Sequence, residues 1–373
     1  MENTKVKKED RFRIEYDSAV ARLLNELNIS LVLSTYQAGK LVFIGAPSAD
    51  KLHQTPVSFK KPMGVAAGQN ILGVASLDRV EVFTNQPELA KTYPSHPGKY
   101  DAMYFPRTTY HSGPIDLHDL HWTKSGLIAV NTRFSCVCKF DYRYTFTPIW
   151  QPSFITDLLP EDRCHLNGMA MRDGAPAALT ALSDTNFVDG WRENIKNGGV
   201  LMDYASGEVL ARGLCMPHSP RYEGDELYLL ESGKGELVRI GKSGAISTVA
   251  TLSGFARGMT IHNGYAFIGL SKIRKESKSA RVLPVADIAQ TAGIQVVSLA
   301  SGKIIGGIFY RSTVEEIYDI QLIKGSNMST LVTTGNKISR LAFSLPMKYI
   351  WHEPTNTEHQ KSNQISESHE DDE

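Results

Sequence analysis

Six short segments of this chain share one pattern. They read KPMGVAA from Lys61, DLHDLHW from Asp116, HLNGMAM from His165, MPHSPRY from Met216, FARGMTI from Phe255 and EIYDIQL from Glu316. Their starts lie 55, 49, 51, 39 and 61 residues apart. A second series follows in step: ILGVASLD, GLIAVNTR, AALTALSD, ELYLLESG and YAFIGLSK. Each is a short β-prone run bounded by Gly, Asn, Asp or Ser, the signature of strands joined by tight turns. A four-stranded propeller blade occupies about 40–50 residues, so one blade per copy accounts for the period.

The expected fold is therefore an all-β propeller, most simply of six blades. Residues 30–59 supply either a seventh blade or strands that close the ring with the C-terminal segment. SAVARLLNEL, residues 18–27, has apolar residues at helical spacing and predicts a short N-terminal helix. The propeller is expected to fill residues 13–353 as one domain. A charged, mobile segment precedes it (1–12), and a disordered polar and acidic tail follows (354–373). Three long inserts interrupt the rhythm, at 87–114, 184–199 and 273–292, and inserts of this length commonly form lids or binding loops. The basic stretch 272–281 reads as a solvated loop.

Charge narrows the function. Lys plus Arg and Asp plus Glu both total 40, leaving no basic field to attract nucleic acid. The N-terminus MENTKVKKEDRFR is polar, and no apolar run approaches the roughly 20 residues that span a bilayer. A cytoplasmic protein without a membrane partner is expected. Of the four cysteines, Cys136 and Cys138 would share one strand face rather than form a CxxC pair, and Cys164 and Cys215 precede two adjacent copies. All four read as buried or semi-buried free thiols. GKG at Gly233–Gly235 falls in a hairpin turn, so no nucleotide cofactor is expected.

The motifs STYQAGKL (34–41), RCHLNGMA (163–170), MPHSPR (216–221) and GLSKIR (269–274) resemble a bacterial family of conserved hypothetical, propeller-like proteins. That resemblance spans roughly residues 30–344. It implies the fold and no activity.

Stacking the six copies exposes a polar ring. The first position holds Lys61, Asp116, His165, Met216, Phe255 and Glu316; the third holds Met63, His118, Asn167, His218, Arg257 and Tyr318. Residues two apart on a strand face one side, so these pairs are expected to line the mouth of the central channel. Charges converging from separate blades are costly unless solvated, paired or bound to something. Three uses of the ring compete. In the first, His118, His165, His218 and Asp116 hold a divalent metal, zinc or calcium, that activates water; the layout is similar to that of propeller lyases and lactonases. In the second, no metal is needed. One histidine is general base or nucleophile, with Glu316 or Asp319 as an alternative base, while Arg257, Asn167 and Arg221 bind an anionic group and Arg133, Tyr318 and Lys61 add substrate contacts. That set is similar in residue type to arylsulfate sulfotransferases. In the third, the propeller binds a small ligand or a protein partner without catalysis. A small polar or anionic substrate is the expected partner.

Overall fold

A computed structural model of the protein describes residues 12–273 and 280–352. The mobile segment expected at 1–12 and the tail expected at 354–373 lie almost wholly outside the described residues, as does most of the basic stretch 272–281.

Alternation of apolar and polar residues, broken by Gly, Asn and Asp turns, produces six antiparallel sheets arranged as a six-bladed propeller. Every one of the six repeated segments is the innermost strand of its blade. These strands are Val65–Gly68, Leu117–Thr123, Leu166–Arg172, Pro217–Glu223, Phe255–His262 and Asp319–Lys324, in blades 1 to 6. Each touches the next around the ring, and the sixth touches the first. The second series supplies the neighbouring strands, for example Gly126–Asn131 against Leu117–Thr123.

Ring closure settles the role of residues 30–59. The last inner strand, Asp319–Lys324, pairs with Ile29–Ser34, which is followed by Lys40–Ser48 and Lys51–Ser58. Blade 6 is thus stitched from both ends of the chain, so opening the ring would expose two strand edges at once. The described residues form six blades and no seventh. The helix, Ser18–Glu26, buries Val20, Ala21, Leu23 and Leu24 against blades 5 and 6. The strand Ile14–Tyr16 covers the outer edge of blade 5, and Ser329–Leu331 covers that of blade 1.

Two of the expected inserts are partly regular. Residues 87–114 contain the helix Pro87–Lys91 and the strand Ala102–His111, the fourth of blade 1. The Pro/Tyr/His content hid this strand. In 273–292 the described part forms the short 3-10 helices Ala280–Val282 and Pro284–Asp287. All four cysteines are free and buried, and Cys136 and Cys138 share one apolar cluster.

Apolar cores lie between successive blades. Ile128, Val130 and Val137 of blade 2 meet Leu166, Met169 and Leu179 of blade 3, and Leu230 and Leu237 of blade 4 meet Ala256, Met259 and Ile268 of blade 5. Full burial of such a side chain contributes about 1.5–3 kcal/mol.

The inner strands obey a second rule, at the fourth position of each copy. Blades 1, 3 and 5 carry Gly64, Gly168 and Gly258, while blades 2, 4 and 6 carry Asp119, Ser219 and Asp319. Each even-blade side chain accepts an N–H from the following blade: Asp119 Oδ2 from Met169 (3.0 Å), Ser219 Oγ from Gly258 (3.1 Å) and Asp319 Oδ2 from Val65 (2.9 Å). The glycines permit the approach. A Cβ on Gly168 would stand 2.4 Å from Pro220 Cδ, and Gly258 has φ +74° with Asp319 Cα 2.7 Å from its would-be Cβ. Blades therefore lock in pairs, giving the ring an approximate threefold character.

Arg221 completes the lock. It donates Nη1 and Nη2 to Asp119 (2.9 and 3.2 Å), Nη1 to the carbonyl of Met169 (3.1 Å) and Nε to that of Met259 (2.9 Å). One guanidinium from blade 4 thus reaches blades 2, 3 and 5. This spends the Arg221 donors on Asp119 and on main-chain carbonyls inside the ring. Burial opposes ionisation of Asp119, but the Arg221 charge and His121 win and hold its carboxyl well below the usual range. Asp319 goes the other way. Burial and the neighbouring Asp119 charge push it up to about 6, against the pull of Arg221.

Two outcomes follow. Asp119→Ala leaves Arg221 buried and unpaired and should cost about 3–5 kcal/mol in denaturant unfolding; Asp119→Leu with Arg221→Met should recover most of it. Because the folded pKa of Asp319 is raised, its contribution to stability is fully present below about pH 4 and is lost as pH rises through about 6. Unfolding curves between about pH 5 and 7.5 should therefore be flatter for Asp319→Asn than for the parent.

Candidate functional site: a channel mouth with anchored imidazoles

A hydroxyl ends or closely follows the second strand in all six blades: Ser76, Thr132, Ser183, Ser232, Ser271 and, in blade 6, Ser34. Four of them donate to a carbonyl of the next blade's inner strand. Thr132 reaches Leu166 (2.6 Å), Ser271 reaches Ile317 (3.1 Å), Ser232 reaches Ala256, and Ser34 reaches Met63. A hydroxyl has one proton to give, and that single proton decides the state of two histidines.

Thr132 Oγ1 also lies 2.7 Å from His118 Nδ1, and Ser232 Oγ lies 2.9 Å from His218 Nδ1. Since each hydroxyl has already spent its proton, each Nδ1 must donate. A second acceptor agrees in both cases, the carbonyl of Asp116 at 3.2 Å from His118 Nδ1 and that of Met216 at 3.0 Å from His218 Nδ1. The hydrogen-bond network thus assigns the Nδ1–H tautomer to both rings. His165 reaches the same tautomer by another route, with Nδ1 donating to the Asp162 carboxylate at 2.9 and 3.0 Å. Among the described residues no partner meets Nε2 of any of the three.

Two of these rings are in contact, while that of His218 lies 6.2 Å from Phe255. His118 meets His165 edge to face with centroids 4.9 Å apart, and its ring lies 5.2 Å from that of Tyr318. His118, His218 and Tyr318 occupy the third position of the even blades, so the approximate threefold pattern carries up from the locking layer into the mouth. Burial drives the pKa of His118 and of His218 well below the ordinary imidazole value, and the Arg257 charge adds to the shift in both. Both are neutral bases at pH 7.

Arg257 projects from blade 5. Its guanidinium carbon lies 3.6 Å from the Tyr318 ring centroid, and its Nη1 is 3.4 Å from Glu316 Oε1. Tyr36 stacks on Tyr318 at 5.6 Å, and the Lys61 ammonium sits 5.6 Å from the Tyr36 ring. Stacking of this kind holds a planar cation without spending its edge N–H donors.

The first-position residues differ from expectation. Lys61, Asp116, His165 and Met216 all have left-handed backbones, with φ 50–54°. They form the turn into the strand rather than sharing a strand face with the third position, so the two sets are offset. Asp116 is paired with Arg133 at 3.8 Å, and burial raises its pKa. Asn167 is buried; its Oδ1 accepts from Thr180 (2.8 Å), while its Nδ2 has no partner among the described residues. Asp319 and Arg221 belong to the locking layer below. The mouth therefore gathers His118, His165, His218, Arg257, Glu316 and Tyr318, and it leaves Asp319 and Arg221 out. Among the described residues no group of three His, Cys, Asp or Glu side chains is placed to hold a metal ion.

Thr132, Ser232 and Asp162 were missed in the sequence, although the repeated terminal hydroxyl was there to be read. The fourth-position alternation of Gly with Asp or Ser was equally visible.

The chain matches, over residues 18–332, the family described as Domain of unknown function (DUF4915). It belongs to that family. No curated protein matches it. Among solved structures it is similar to a chain in the crystal structure of a nidogen/laminin complex, with TM-score 0.51 and 11% identity over 80% of this chain and 99% of that one. It is also similar to a protein of unknown function from Bacteroides caccae (TM-score 0.49, 10% identity, 79% and 99% covered). A third is virginiamycin B lyase from Staphylococcus aureus (TM-score 0.38, 14% identity, 75% and 79% covered). The first likeness is one of fold alone. Among the described residues no helix is long and apolar enough to cross a membrane.

The tautomers are directly measurable. In 15N-edited spectra at about pH 6, His118 and His218 should be neutral with the proton on Nδ1, whereas an ordinary imidazole with pKa about 6.5 would be mostly charged. Thr132→Val should release His118 and cost about 1–3 kcal/mol, because the Leu166 carbonyl and His118 Nδ1 both lose a partner.

Proposed function

We propose that the mouth is a binding and acid–base site for a small, non-aromatic anion. Arg257 meets the negative group, and the Nε2 atoms of His118 and His218 accept a proton from the ligand. The observation that carries this reading is the pair of imidazoles held neutral and Nδ1-protonated beside an arginine. A neutral base with its lone pair free is what proton abstraction at neutral pH requires. An adjacent cation stabilises the negative charge that the ligand carries or develops. The Tyr318 phenol, whose pKa burial raises, stays protonated and can donate to a ligand oxygen. Glu316 steers Arg257.

Ligand size follows from the same contacts. The Tyr318 ring is engaged by Arg257 and Tyr36, and the Trp191 ring by His165 and Arg192. These aromatic surfaces are used within the protein, which favours a compact carboxylate, phosphoryl or sulfuryl group over a stacked ring. The Asp119–Arg221 pair bridges the channel interior, favouring entry from one side.

A metal-dependent reading keeps one point in its favour. Imidazoles anchored through Nδ1 with Nε2 free resemble metal ligands with their supporting partners in place. Against it stand the Arg257 charge beside both rings and the lack of a converging three-donor group among the described residues.

Thermal-shift measurements with small carboxylates, phosphate and sulfate test the proposal. Anions should raise the melting temperature, with a gain of about 2.7 kcal/mol at 100 times the Kd. The shift should disappear in Arg257→Gln. Equal shifts in the parent and in Arg257→Gln would overturn the proposal. Stoichiometric zinc or calcium in purified protein, lost in both His118→Ala and His218→Ala, would install the metal reading instead.

A further inference from the structure

The third imidazole of the mouth, that of His165, packs against a side chain of an insert. Residues 184–198 leave blade 3 between its second and third strands and contain the 3-10 turn Gly190–Asn194. Trp191, the second residue of that turn, is 7% exposed. Its indole Nε1–H donates to Asp162 Oδ2 (3.0 Å), the oxygen that His165 Nδ1 reaches at 2.9 Å. The indole packs on the His165 ring with centroids 4.5 Å apart, and Arg192 covers it at 4.1 Å. A main-chain bond from Asp189 N to Glu161 O (3.1 Å) ties the insert to the loop that carries Asp162.

We infer that Asp162 is a positioning residue. Fixed by the Trp191 N–H, it holds His165 as the Nδ1–H tautomer with Nε2 free, so the insert determines whether the third imidazole is available to the mouth. The inference rests on the proposed anion site for its use but not for its test.

The chemistry is one of donor counting. A carboxylate only accepts, so two N–H groups can converge on Asp162 without conflict, and each fixes the carboxylate for the other. His118 and His218 are set by neutral hydroxyls of the blades, which are part of the rigid ring. His165 alone is set by a charged group whose geometry depends on a surface insert. Moving the insert would remove the Trp191 proton from Asp162 and release the ring, and with it the edge-to-face contact on His118.

The test uses the full chain and two variants, Asp162→Ala and Trp191→Phe. Spectra of 15N-labelled protein at about pH 9, over two units above the ordinary imidazole pKa, report which nitrogen of His165 carries the proton. The parent should show Nδ1–H. Asp162→Ala should shift His165 toward Nε2–H while leaving His118 and His218 unchanged. Trp191→Phe keeps an aromatic ring and loses only the N–H, so it should speed amide exchange across 190–194 by about tenfold. It should also broaden or split the His165 signals. Retention of Nδ1–H at His165 in Asp162→Ala overturns the inference, whether or not the mouth binds anions. So does unchanged exchange and an unchanged His165 signal in Trp191→Phe, the variant less prone to misfold. A shifted tautomer in a parent that binds no anion would uphold the positioning role and defeat only the proposed function.

Discussion

One buried guanidinium holds the centre of this propeller. Arg221 leaves blade 4 and bonds Asp119 on blade 2, the Met169 carbonyl on blade 3 and the Met259 carbonyl on blade 5. Two desolvated charges are an expensive way to fill a channel, and a pair of apolar side chains of equal volume would often do as well. What the pair adds is direction. A hydrophobic contact tolerates small rotations, whereas five N–H donors in a fixed fork accept only one arrangement of the blades around them. The third-position residues that form the mouth are one residue removed from Asp119, Ser219 and Asp319, so their placement inherits that precision.

The alternation in the locking layer explains the mouth. Even blades contribute an acceptor at the fourth position and a ring at the third: His118, His218 and Tyr318. Odd blades contribute glycine at the fourth position, which lets the even blades approach, and Met63, Asn167 or Arg257 at the third. The rings of His118 and Tyr318 lie 5.2 Å apart, and the single cation of the odd set, Arg257, covers Tyr318 and acts electrostatically on both imidazoles. The same hydroxyls that staple blade to blade consume their proton on a backbone carbonyl and so dictate which imidazole nitrogen is bare. Structural and chemical duties meet in Thr132 and Ser232.

Most of the ring was legible in the sequence because a strand has period two and a blade has a fixed length. DLHDLHW and MPHSPRY could be aligned without knowing any distance, and the alignment identified all six inner strands. The first-position residues misled for a local reason. Asp116 and His165 carry left-handed backbones, so the assumption that residues two apart share a face fails one step before the strand begins. Arg221 and Asp319 misled for a different one. They sit in the same repeats as the mouth residues, but three positions beyond His218 and one beyond Tyr318 the side chains point into the interior, where Arg221 meets a partner 102 residues away. No local pattern announces a contact across the ring.

The sequence by itself determined the fold class, the six repeats and the residue types at each ring position, because hydrophobic alternation and turn chemistry act over a few neighbours. Tertiary structure decided the rest: that residues 29–58 complete the blade begun by 319–324, that Asp119 takes Arg221, and that a tryptophan from an insert joins His165 on one carboxylate. Each is a meeting of groups far apart in the chain, governed by ring closure and by the need of every buried donor and acceptor for a partner.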